Sequence, residues 1–162
     1  MRRALALAAA CLTLAGCGFT PLYATPGVTP GLTGIEVGAP KGRVGELLRG
    51  ELEDALGRNL GSRPTYRLEL GYVQARIGRG LREDNTVSRY ELELPVDYRL
   101  IDAATGGLVK AGHVDAEVTY DSVDAPYAGV AAQQDAEERA AADAARRIHL
   151  ELAAWLASRA GG

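Results

Sequence analysis

The sequence has 162 residues, with 18 lysines and arginines against 21 aspartates and glutamates and a formal net charge of −3. This mild acidity gives no electrostatic footprint for nucleic acid. The only cysteines are Cys11 and Cys17, so neither a disulfide framework nor a thiolate metal site is expected.

The chain opens with Met1-Arg2-Arg3, then an apolar run from Ala4 to Ala15 broken by Cys11 and Thr13. A basic start before a short apolar stretch is an export signal. The run falls short of the about 20 apolar residues that span a bilayer as a helix. It ends Leu14-Ala15-Gly16-Cys17, which resembles the lipobox of bacterial lipoproteins. Residues 1–16 are therefore expected to be removed as a signal peptide, with Cys11 among them, and Cys17 to carry the lipid. Without Arg2 and Arg3, 16 basic residues face 21 acidic ones, a charge of −5 for the mature chain. Three acyl chains exceed the two signals that stable anchoring takes. Gly18 and Phe19 follow the cysteine, with no acidic residue of the kind that retains lipoproteins in the inner membrane; by that resemblance the outer membrane is the expected location.

Pro21, Pro26 and Pro30, with Gly18, Gly27 and Gly31, predict a lipidated tether over 17–31 with little regular structure. A single domain is expected over 32–160, long enough to bury a core. Ile35 and Val37 flank Glu36 as a short strand. From Arg43 the period becomes helical, with Val44, Leu48, Leu52, Ala55 and Leu56 on one stripe and an end near Asn59 and Gly61. Three strands follow. In the first, Tyr66, Leu68, Leu70 and Tyr72 alternate with polar residues; the apolar parity then flips to Val73, Ala75 and Ile77, which predicts a bulge near Gly71. The second places Tyr90, Leu92, Leu94, Val96, Tyr98 and Leu100 on one face. Pro95 on the other face cannot donate to a ladder, so a bulge or pairing gap is expected there. The third runs from about Leu108 to Tyr120, joined through Thr105-Gly106-Gly107. A long loop, 78–86, connects the first two. Beyond Asp124 the pattern is helical to about Arg159, with Ala141, Ala144, Ile148, Leu152 and Trp155 as its stripe and Asp121, Ser122 and Asp124 as candidate caps. The order βαβββα predicts an α+β fold, two helices packed on one face of a four-stranded, mostly antiparallel sheet. The other sheet face is charged and meets water or a polar partner.

Catalytic constellations are missing: no serine sits in a nucleophile elbow, and His113 and His149 lack partners at metal-ligand spacing. His113 should point outward and His149 flank the helix stripe. No catalytic or metal residue is assigned, no cofactor is expected, and the chain reads as a non-enzyme. Arg76, Arg79, Arg82 and Arg89 cluster at the first hairpin. Arginine binds phosphate bidentately; a solvated hairpin tip, with Glu83 and Asp84 offsetting the charge, is the plainer reading of the same residues.

Cys17-Gly18-Phe19-Thr20-Pro21-Leu22-Tyr23 resembles the mature start of the LptE (RlpB) family of lipopolysaccharide-assembly lipoproteins. Tyr98-Arg99-Leu100-Ile101-Asp102 with Thr105-Gly106, and the closing helix from Asp135-Ala136-Glu137-Glu138-Arg139-Ala140 to Ile148 and Trp155, are similar to that family too. The resemblance implies two helices on a four-stranded sheet. It also implies a non-enzymatic outer-membrane plug inside the LptD β-barrel, which helps that barrel assemble and assists insertion of lipopolysaccharide into the outer leaflet. Arg76, Arg79, Arg82 and Arg89 would be its speculative lipopolysaccharide contacts. An envelope-assembly or peptidoglycan adaptor with the same fold is the alternative, and a periplasmic hydrolase is less favoured because no catalytic site is evident.

Overall fold

A computed structural model describes residues 26–58, 61–83, 86–123 and 125–160. The domain starts earlier than the tether reading allows. Val28–Thr33 forms a short helix, α1. Pro30 is tolerated because it lies in the first turn, where backbone N–H groups lack helical partners. Val28 and Leu32 are buried. Gly31 lies so close to Leu156 that an added Cβ would come within 2.8 Å of its Cδ2. Residues 17–25 lie outside the described residues.

Ile35–Val37 forms β1 and Arg43–Leu56 forms α2. The buried face of α2 is Val44, Gly45, Leu48, Leu52 and Leu56, whereas Ala55 is exposed. The helix ends sooner than expected, at Gly57, whose φ of 59° is left-handed and whose N–H caps the Asp54 and Glu53 carbonyls. That conformation costs glycine nothing, which stops the helix here.

Tyr66–Tyr72 (β2) and Ala75–Leu81 (β3) lie end to end against the 16-residue β4, Val87–Asp102. There is no bulge at Gly71. The register is unbroken, from Tyr66 opposite Asp102 through Tyr72 opposite Val96 to Ala75 opposite Glu93. The predicted gap at Pro95 is what separates β2 from β3. Val73 N–H donates to the Pro95 carbonyl at 3.2 Å, and proline has no N–H to return. Among the described residues there are therefore five strands where four were expected. Parity is also kept, so Gln74 and Arg76 face the helices, while Val73, Ala75 and Ile77 stay on the outer face. The expected long loop is mostly strand: Leu81 pairs with Val87, and Arg82 N–H closes the turn on the Thr86 carbonyl at 2.9 Å.

Leu108–Asp121 forms β5, antiparallel to β4, and β1 lies parallel to β2. The sheet runs β1, β2, β4, β5, with β3 continuing the line of β2. Pro126–Ala160 forms α3, 35 residues long. Its first bond runs from Gly129 N–H to the Ala125 carbonyl at 3.0 Å, with Pro126 pre-set for the first helical position. That bond puts Ala125 at the N-cap position, so neither Asp121, which ends β5, nor Ser122 occupies it; Asp124 lies outside the described residues.

The helices cover one face of the sheet, as the alternation predicted. The core joins Leu48, Leu52, Leu68, Leu92, Leu94, Val96, Tyr98 and Leu100 to Ala141, Ala144, Ile148 and Leu152. Trp155 is only partly buried and packs edge-on against Tyr66, with ring centroids 5.7 Å apart.

Candidate functional site

At the β3–β4 hairpin the four predicted arginines divide between the two sheet faces. Arg79 and Arg89 are cross-strand partners on the outer face. The Arg79 guanidinium donates two 2.9 Å bonds to the Glu91 carboxylate. Those bonds and the charge beside them hold Glu91 below the ordinary carboxylate range and push Arg79 up. Arg89 Nε meets Asp121 Oδ1 at 3.3 Å with both side chains exposed. A shallow depression of about 380 Å³ opens between Arg79, Gly80, Ser88, Arg89 and Asp121. Arg76 lies on the helix side, donating to Gln133 Oε1 at 3.0 Å with its guanidinium 4.8 Å from the Tyr90 ring centre. Arg82 donates to the Ser122 carbonyl at 2.9 Å and ties the hairpin to the approach to α3. Leu81, Val123, Tyr127 and Val130 are exposed apolar side chains at this end of the domain.

A second polar cluster was not read from the sequence. Glu137 is 7% exposed. Its Oε2 accepts from Arg43, at the start of α2, and its Oε1 accepts from Gln74 and Gln133 at 3.0 Å each. Arg43 also donates to Glu138 at 2.9 Å. Burial pushes the Glu137 carboxyl up, but hydrogen bonds from Gln133, Gln74 and Arg43, with the Arg43 charge, outweigh burial and hold it below the usual value. The cleft beside it, about 590 Å³, is lined by Tyr72, Gln74, Val130, Gln133 and Gln134 among others. A signal existed: continuing the helical stripe backward from Ala141 by four residues reaches Glu137. Both carboxylate oxygens are satisfied, so the cluster clasps α2, the sheet and α3 together rather than presenting a reactive acid.

His113 points outward, as expected. Its Nδ1 lies 2.7 Å from Asp97 and its Nε2 3.1 Å from Asp115, and these bonds raise its pKa. His149 is partly buried beside the α3 stripe, and burial lowers its pKa. Cys17 lies outside the described residues.

Among known proteins, the chain is similar to a candidate lipoprotein from Caulobacter crescentus CB15. That crystal structure is 53% identical, with a TM-score of 0.72, over 82% of this chain and 97% of the other. Lipoprotein B from Nitrosomonas europaea, at 19% identity and a TM-score of 0.56, covers 75% of this chain and 82% of its own. A minor lipoprotein from Acinetobacter baumannii, at 19% and 0.53, covers 74% and 88%. These last two share the fold. No curated protein matches in sequence. The lipopolysaccharide-assembly family LptE matches residues 32–152, which span β1 through most of α3, and the chain belongs to that family.

Proposed function

We propose that this chain is an outer-membrane lipoprotein, held on the periplasmic side by lipid on Cys17. It plugs and helps assemble an LptD-type β-barrel and assists insertion of lipopolysaccharide into the outer leaflet. It carries no catalysis. The observation that carries this reading is the family match over 32–152. The lipobox Leu14-Ala15-Gly16-Cys17 supports the anchor, and no described helix is long and apolar enough to cross a membrane. Depleting the chain should lower the amount of mature barrel and make cells leaky to apolar compounds. A barrel that assembles normally without it would favour the envelope-adaptor reading.

Within this proposal the lipid phosphates meet the arginine hairpin, and Arg79 and Arg89 are the pair that shares one face. Arg89 is held by one exposed contact to Asp121, which is weak, so a phosphate competes there first; Arg79 is gripped by two bonds to the half-buried Glu91 and adds its charge beside it. Arg76 and Arg82 stand behind and beside that pair. Charge-assisted contacts contribute about 1.5–3 kcal/mol each. Arg79→Gln with Arg89→Gln, which removes both charges without setting like charges against Glu91 and Asp121, should therefore weaken lipopolysaccharide binding at least about tenfold and leave the melting temperature nearly unchanged. Unchanged affinity in a salt-controlled titration would place the lipid contacts elsewhere.

A further inference from the structure

Among the described strands, β5 pairs only with β4, so its second edge is open. The ladder fixes which of its residues face that edge. Val73 N–H reaches the Pro95 carbonyl, so odd-numbered residues of β4 aim their backbone groups at β2 and β3, and even-numbered ones at β5. The β4–β5 register joins even to even, Val96 to Val114 and Leu94 to Ala116, and Ser122 N–H bonds the Ser88 carbonyl at 3.0 Å. The odd residues Ala111, His113, Asp115, Glu117 and Thr119 therefore turn N–H and C=O outward. Such a row is a template for another strand.

The two flanks of that edge differ in chemistry. On the outer face Asp115 and Glu117 are exposed, with Asp97 and Glu93 beside them on β4; His113 bonds Asp97 and Asp115, and the four carboxylates outnumber it. On the helix side a groove of about 380 Å³ lies between the edge and α3, lined by Val114, Arg147, Leu150 and Glu151 among others; Leu150 is 48% exposed. An added strand alternates its side chains between these flanks. One set meets carboxylates and the other meets Leu150. A second copy pairing β5 to β5 would bring Asp115 and Glu117 against their like, which is unfavourable.

We propose that the open edge of β5 is a strand-addition site for an extended segment of another protein in which basic and apolar residues alternate. The site does not depend on that protein being a barrel. The full chain in nonionic detergent is titrated with a fluorescent peptide of about ten residues alternating lysine and valine, against one alternating glutamate and valine. Glu117→Pro deletes an outward N–H without touching the β4 ladder, a substitution that an edge tolerates. The lysine peptide should bind the wild type and bind Glu117→Pro at least about tenfold more weakly. Asp115→Lys with Glu117→Lys should reverse the preference to the glutamate peptide, and this variant carries the test if the proline variant does not fold. No binding, equal binding of both peptides, or binding indifferent to the variants overturns the site. A dimer that Glu117→Pro dissolves would give the edge to a second copy. Binding only after deletion of residues 18–25 would give it to the chain's own N-terminal segment.

Discussion

Glu137 sets how the domain meets acid. Its folded pKa is depressed, so its contribution to stability is present above the ordinary carboxylate range and is lost as pH falls through the folded value. Glu137→Gln keeps the shape and discards the charge. At neutral pH it should cost about 1.5–3 kcal/mol, the range for hydrogen bonds to a charged group. Denaturant melts should show that deficit shrinking toward about pH 4 and below; a deficit constant with pH would mean that the charge contributes nothing. Gly112 is the other decisive single position. It lies opposite Tyr98, and an added Cβ would come within 2.4 Å of that buried ring. Gly112→Ala should cost about 1–3 kcal/mol through overpacking, and its melting temperature will show it. Neither residue stood out in the sequence. Glu137 sat between the solvent-facing acids Asp135 and Glu138 and looked like one of them, and glycine in a strand does not say which neighbour it accommodates. The four arginines were legible as a cluster. Their division between two faces was not, because it rests on strand parity holding through Val73 and Gln74.

Elements declared themselves wherever one face was buried and the other wet. β4 was legible almost residue by residue: its six inward side chains, Tyr90 to Leu100, alternate without exception, and Pro95 foretold the break in its neighbour. Restoring a donor there, Pro95→Val, should close the gap between β2 and β3 with one hydrogen bond to the Val73 carbonyl. A gain of about 0.5–1.5 kcal/mol is expected, visible as slow exchange of the new amide at position 95. The apolar parity flip misled because Val73, Ala75 and Ile77 are apolar yet lie on the outer face, where exposed apolar side chains are ordinary. Helix α1 was hidden for the converse reason: prolines and glycines read as tether, and only tertiary burial of Val28 and Leu32 makes a helix of them. On α3, Leu152 is fully buried while Trp155 keeps one side wet beneath Arg159, 5.1 Å from its ring centre. Leu152→Ala should therefore cost about 3–5 kcal/mol and Trp155→Ala about 2–3 kcal/mol. Chemical unfolding of the two variants gives the order directly.

For the whole chain, the proposed export and anchoring signals occupy the first seventeen residues, and the first described element is α1 at Val28. Cys17→Ser should leave an unlipidated chain without disturbing the domain; mass spectrometry of the mature N-terminus checks it, and an unmodified Cys17 in the wild type would end the lipoprotein reading. The placement of α3 then has a consequence for reach. Its start adjoins the arginine hairpin, where Arg82 donates to the Ser122 carbonyl four residues before Pro126, and its end adjoins α1, where a Cβ on Gly27 would lie 3.9 Å from Ala160 Cβ. At 1.5 Å per residue a 35-residue helix measures about 52 Å. A bilayer with its headgroups is about 40–45 Å thick. The helix is thus a strut longer than a membrane is deep, with α1 at one end and Arg79 and Arg89 near the other. With the proposed lipid on Cys17 seated in the inner leaflet and the helix along the membrane normal, those guanidiniums stand at the level of the opposite leaflet while the anchor stays in place.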